Sequence, residues 1–191
     1  MRLSALLRFW FGLVGLLTIA GAVLVGCRSA EPVASRMAPA GEQVTVPLGA
    51  SAAPFGYHQY VPERAAGNAL ARYPVLIFLH GSGERGNGRD ELSQVARHGP
   101  PKLIREGTWD ASRPFIVLSP QLSASQNRWP IDSLDAFIDY AVDTYRVDPA
   151  RIYLTGLSLG GHGTWSYAAA HPQRIAAAVP VAGDGGTVEE V

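Results

Sequence analysis

The 191 residues carry 16 Lys plus Arg against 16 Asp plus Glu, with no run of either sign, so nothing points to nucleic acid or another polyanion as a partner. Apolar residues are 47% of the chain, in the range of globular proteins, and 21 Gly with 14 Pro imply short elements joined by tight turns. A single cysteine excludes an intramolecular disulfide.

Arg2 and Arg8 precede an uncharged apolar run from Phe9 to Val25, and Leu24-Val25-Gly26-Cys27 follows directly. This arrangement resembles a bacterial lipoprotein signal. The resemblance implies export, cleavage before Cys27 and acylation of that cysteine, hence a protein held on a membrane of the cell envelope by its N-terminal lipid. The alternative is an uncleaved signal anchor, because about 17 apolar residues lie at the short edge of a spanning helix. Residues 1–26 are thus expected to be the signal, 27–43 a flexible tether poor in large apolar residues and broken by Pro32 and Pro39, and 44–191 the folded domain.

Val44-Thr45-Val46 and Phe55 to Pro62 read as two leading strands. Tyr73 to Leu79 is continuously apolar and ends at His80-Gly81, the pattern of a strand buried on both faces of a parallel sheet. Asp90 to Glu106 is interrupted by Gly99-Pro100-Pro101, which predicts two short helices or a kink. Pro114 to Leu118 is a second buried strand closing at Ser119-Pro120. Ile131, Leu134, Phe137, Ile138, Ala141, Val142 and Tyr145 recur at helical spacing, with Pro130 in the first turn and Val147-Asp148-Pro149 as the stop. Arg151 to Thr155, Gly160 to His171 and Ile175 to Val181 complete the alternation as strand, helix and strand. The expected class is α/β, with a mostly parallel sheet and helices on both faces.

Gly156-Leu157-Ser158-Leu159-Gly160 matches G-x-S-x-G and falls between a strand and a helix, where a nucleophile elbow belongs. The turn forces the serine hydroxyl outward, and the Leu159 N–H at the start of the helix points to where an oxyanion forms. The second N–H donor is assigned to Ser82, in the loop after the first buried strand. His80 is expected to brace that loop by hydrogen bonds, while Glu84 and Arg85 either pair at the surface or hold the loop from inside. Gly81 to Gly86 also satisfies G-x-G-x-x-G, but Glu84 to Asp90 contains two glycines and an asparagine where a helix should open, and no acidic residue ends the next strand. No cofactor and no metal are expected.

YPVLIFLHGSGERGNG, PFIVLSPQ with Trp129 beyond it, VDPARIYLTGLSLGGHGTW and HPQRIAAAVPVAGDGG together resemble the bacterial carboxylesterase-like family of α/β-hydrolases. Its members are also called predicted peptidases or phospholipase/carboxylesterases, and are similar to polyhydroxybutyrate depolymerases and feruloyl esterases. The resemblance covers about Val44 to Gly186 and implies the α/β-hydrolase fold and hydrolysis of a small or polymeric carboxylic ester by a Ser, Asp, His triad without metal. It assigns Ser158 as nucleophile and Leu159 and Ser82 as oxyanion donors. A peptidase of the same fold, or an inactive anchored binding module, is the alternative; oligomeric state is not legible.

In this fold the acid and the histidine follow the nucleophile. His162 and His171 both lie on the elbow helix and are not expected to reach Ser158. Asp184 stands where some lipases place the acid, but its glycine-rich surroundings favour a turn residue. The sequence therefore reads as incomplete at its C-terminus, with the final strands and the triad's acid and histidine outside it.

Overall fold

The computed structural model describes residues 39–65 and 70–185. The proposed signal, Cys27 and most of the tether lie outside these residues. Among the described residues, no helix is long and apolar enough to cross a membrane.

Six strands form one sheet: β1 (Gln43–Val46), β2 (Tyr57–Tyr60), β3 (Tyr73–Leu79), β4 (Ile116–Pro120), β5 (Val147–Leu157) and β6 (Ala177–Val181), in the spatial order β1-β2-β4-β3-β5-β6. The two leading strands pair antiparallel, and β2 pairs antiparallel with β4. All other pairings are parallel. The continuous apolar run of β3 is explained by its place between β4 and β5, with a neighbour on each edge and helices over each face.

Among the described residues, three α-helices join the strands: α1 (Gly99–Arg105), α2 (Ile131–Thr144) and α3 (Leu159–Ala170). Strand alternation divides the sheet into two faces. Val75, Ile77 and Leu79 of β3, Ile116 and Leu118 of β4, and Ile152 and Leu154 of β5 form one cluster with Leu134, Phe137, Ile138 and Ala141 of α2 and Tyr167 of α3. Each such side chain contributes roughly 1.5–3 kcal/mol by leaving water. Phe78 points to the opposite face and meets α1 at Gly99, where a Cβ would stand 2.5 Å from the ring. Gly99 also has φ +62°, a second reason for glycine there.

Several boundaries differ from those expected. The break before Pro100 is present, but it separates a 3-10 run over Leu92–Arg97 from α1, and the two prolines sit in the first turn of α1, where no N–H is needed. Pro130 precedes α2 as its N-cap residue rather than entering the first turn. Strand β4 begins at Ile116 and includes Ser119 and Pro120, and β6 begins at Ala177. Val147-Asp148-Pro149 does not stop α2 but opens β5. The reversal is made earlier by Arg146, at φ 30°. Proline is tolerated in β5 because Tyr73 pairs with Val147 and Val75 with Ile152, which leaves the intervening residues bulged out of the ladder.

Candidate active site

Leu79 of β3 pairs with Gly156 of β5, so the residues following each strand leave the sheet side by side. Ser158 links β5 directly to α3 with φ 54° and ψ −114°, a conformation that costs a non-glycine residue about 1–3 kcal/mol. Its own backbone holds it there: the Ser158 N–H donates to Val181 O at 2.8 Å, and the Ser158 carbonyl accepts the His162 N–H at 3.0 Å. The flanking glycines are sterically required. A Cβ on Gly156 would lie 2.2 Å from Gly160 O, and one on Gly160 would lie 1.9 Å from Leu79 O. The turn is therefore as tight as G-x-S-x-G implies, and its serine is exposed.

The loop after β3 comes up against this serine. A Cβ placed on Gly81 would be 3.6 Å from the Ser158 Cβ. After Gly81 the chain makes only a three-residue 3-10 turn, Ser82–Glu84, and not the helix a dinucleotide fingerprint requires. The N–H groups of Ser82 and Leu159 find no acceptor among the described residues. An exposed hydroxyl and two free N–H donors thus gather at the C-terminal end of the parallel strands.

Side chains from outside the loop hold it in place. Gln121, just past β4, donates to Glu84 O at 3.0 Å and to Glu91 O at 2.9 Å, and its Oε1 accepts the Gly88 N–H at 2.8 Å. Arg85 donates to Ser82 O at 2.9 Å and to Gln126 O at 2.8 Å, which ties the loop to the segment leading into α2. His80 is buried, with Nδ1–H donating to Gly81 O at 2.6 Å and Nε2 accepting the Leu122 N–H at 3.0 Å. Its expected bracing role matches these contacts. The buried ring of Trp129 packs edge-on against His80, at 5.1 Å between centroids. Glu84 turns inward and Arg85 outward, so the pairing of these two at the surface does not form. For Glu84 the second of the two expected alternatives holds, while the role of Gln121 was not legible in the sequence; its one available cue was a polar residue directly after a buried strand.

Among the described residues, no histidine is hydrogen-bonded to Ser158. His58 is buried far down the chain, its Nε2–H donating to Leu92 O at 2.8 Å and its Nδ1 meeting the Thr45 hydroxyl at 3.1 Å. The His98 ring faces Glu84, His162 meets the main-chain oxygen of Asp184 at 2.9 Å, and His171 caps the far end of α3 against Tyr167. Asp184 itself is exposed beyond β6. Among the described residues, no group of His, Cys, Asp and Glu is arranged to hold a metal ion.

Burial holds the imidazoles of both His58 and His80 below the ordinary value of 6.5. The unfolded chain then binds more protons than the folded one as pH falls below that value. Stability from these two groups is complete above about pH 6.5 and is lost as pH drops toward their lower folded values. Urea midpoints measured at about pH 7.5 and about pH 5 should fall at the lower pH, and His58→Gln should shrink the difference. An undiminished difference in that variant would show that His58 does not contribute.

No family model matches this chain. It is 39% identical over 144 residues to poly(3-hydroxyalkanoate) depolymerase C of Paucimonas lemoignei, an alignment covering 65% of this chain and 30% of that protein. It is 28% identical over 132 residues to a bifunctional acetylxylan esterase/xylanase of Neocallimastix patriciarum, covering 66% and 17%. Among solved structures, a thermostable esterase matches with a TM-score of 0.54 at 28% identity, covering 78% of this chain and 42% of that one. The chain thus spans less than half the length of each of these proteins.

Proposed function

We propose that this chain, an α/β-hydrolase by fold with esterases among its relatives, performs serine-dependent hydrolysis of carboxylic esters through an acyl-enzyme on Ser158. The observation that carries this reading is the meeting of the exposed, strained Ser158 with the two free N–H groups of Ser82 and Leu159. Ser158 Oγ adds to the acyl carbon while a histidine takes its proton, and the carbonyl oxygen becomes an oxyanion that accepts hydrogen bonds from Ser82 and Leu159. Collapse of this adduct expels the alcohol, which leaves with the proton held by the histidine. Water, deprotonated by the same histidine, then breaks the acyl–serine bond and releases the acid.

The five histidines of this sequence contact groups other than Ser158 among the described residues, so the role of base is given to none of them here. A serine without that base keeps its proton at neutral pH, and the oxyanion hole and binding alone are worth on the order of 10³–10⁴ over water.

A second reading, a binding module that keeps the fold without the chemistry, is favoured by the lack of any base beside Ser158 among the described residues. A fluorophosphonate probe separates the two, because it reacts only with an activated serine. Incubation of the full-length protein followed by peptide mass spectrometry should place the adduct on Ser158. An unlabelled, folded protein would favour the binding module. Comparing an ester with its matched anilide on the same preparation distinguishes esterase from peptidase.

A further inference from the structure

Glu84 is a charged side chain in an unusual place. It is 8% exposed, and no backbone N–H or hydroxyl among the described residues donates to its carboxylate. Its two neighbours are imidazoles: His80 Nδ1 at 4.0 Å and His98 Nε2 at 3.6 Å. Burying a carboxylate with so few donors is costly, and structures retain such groups where they have a role.

The two imidazoles are not equivalent. His80 spends both ring nitrogens in its neutral form, one donating to Gly81 O and one accepting from Leu122, so it cannot become a counter-charge without losing a bond. Arg85, next in the chain, directs its guanidinium to Ser82 O and Gln126 O. His98 is left. It is 54% exposed, its Nε2 lies 3.6 Å from Glu84 Oε1, and it immediately precedes α1.

The position of the carboxylate relative to the reacting serine decides what it can do. The point where a Gly81 Cβ would stand is 3.2 Å from Glu84 Oε2 and 3.6 Å from the Ser158 Cβ. Glu84 and Ser158 therefore flank the same open space at the Cα of Gly81, and the carboxylate is packed against the turn that leads into Ser82. We propose that Glu84 is a positioning residue for the reaction at Ser158: its carboxylate, drawn to His98, clamps the Gly81–Ser82 turn so that the Ser82 N–H stays aimed at the oxyanion.

This role rests on the serine-hydrolase reading above and adds to it a residue that touches no substrate. Because the oxyanion exists only after attack, a loosened donor should lower kcat and leave KM nearly unchanged. Loss of an oxyanion donor costs roughly 10²–10³ in kcat, so a donor that is present but poorly held should cost about 10- to 100-fold.

The test uses the full-length enzyme with a short p-nitrophenyl ester and four variants: Glu84→Gln, His98→Gln, the double variant and Ser158→Ala. Glu84→Gln keeps the shape and removes the charge, and should lower kcat about 10- to 100-fold with KM within about twofold. His98→Gln should lower kcat in the same direction, and the double variant should be no worse than Glu84→Gln alone, since both substitutions break one contact. If Glu84→Gln does not fold, the exposed His98→Gln decides, and a wild-type kcat there overturns the proposal. An active Glu84→Gln enzyme with unchanged kcat, or losses that multiply in the double variant, also overturn it while leaving Ser158 untouched. Full activity in Ser158→Ala would instead remove the reading on which the role depends.

Discussion

Ser158→Ala should lower kcat of the full-length enzyme on a short p-nitrophenyl ester by on the order of a millionfold, with KM changed by no more than a few-fold. The substitution deletes one oxygen, the one proposed above to bond the acyl carbon. Everything around it remains: the Ser158 N–H still donates to Val181 O, and the Leu159 and Ser82 N–H groups still lack acceptors. The residue keeps its φ of 54°, which alanine tolerates about as poorly as serine, so the melting temperature should move little. Reaction with a fluorophosphonate should vanish in the same variant. A Ser158→Ala enzyme that retains more than about a thousandth of wild-type turnover would show that another group is the nucleophile.

Gly160→Ala should be as damaging for a different reason. The added methyl would stand 1.9 Å from Leu79 O and 2.8 Å from His80 O, both main-chain atoms at the end of the central strand. Neither can move alone, because Leu79 is paired with Gly156 and the His80 ring is held at both nitrogens. Helix α3 must lift from the sheet, carrying Ser158 with it. We expect a loss of at least about 3 kcal/mol in urea unfolding, beyond the usual range for a single added methyl, and no measurable ester hydrolysis. Gly83→Ala is the control, since a Cβ there meets nothing within 4 Å and stability should stay within about 0.5 kcal/mol. A Gly160→Ala protein with a wild-type midpoint would mean that α3 does not lie against β3 at this point.

Much of this architecture is legible in the amino-acid sequence. The apolar run from Tyr73 to Leu79 is β3 residue for residue, the stripe from Ile131 to Tyr145 is α2 and its buried cap residue, and the glycine-flanked Ser158 falls at a strand-to-helix turn. Each of these is specified by residues close in sequence: the twofold or 3.6-fold period of apolar side chains, and the absence of a Cβ where the chain must turn sharply. Tertiary structure alone decided the rest. The register of Leu79 with Gly156 brings the Ser82 loop beside Ser158, although the two lie in segments that no local pattern relates. Gln121 reads as an ordinary polar residue until β4 places it against the carbonyls of Glu84 and Glu91. Val147-Asp148-Pro149 reads as a helix stop until pairing with β3 draws it into a bulged strand. Glu84, in a run of glycines and charges, has no local feature that marks it as buried; its environment is set by Gly81, His80 and His98 after the chain has folded. Periodicity reports which face of an element turns inward, but the burial of a polar side chain in a loop depends on what distant segment packs over it, and that is a property of the assembled sheet.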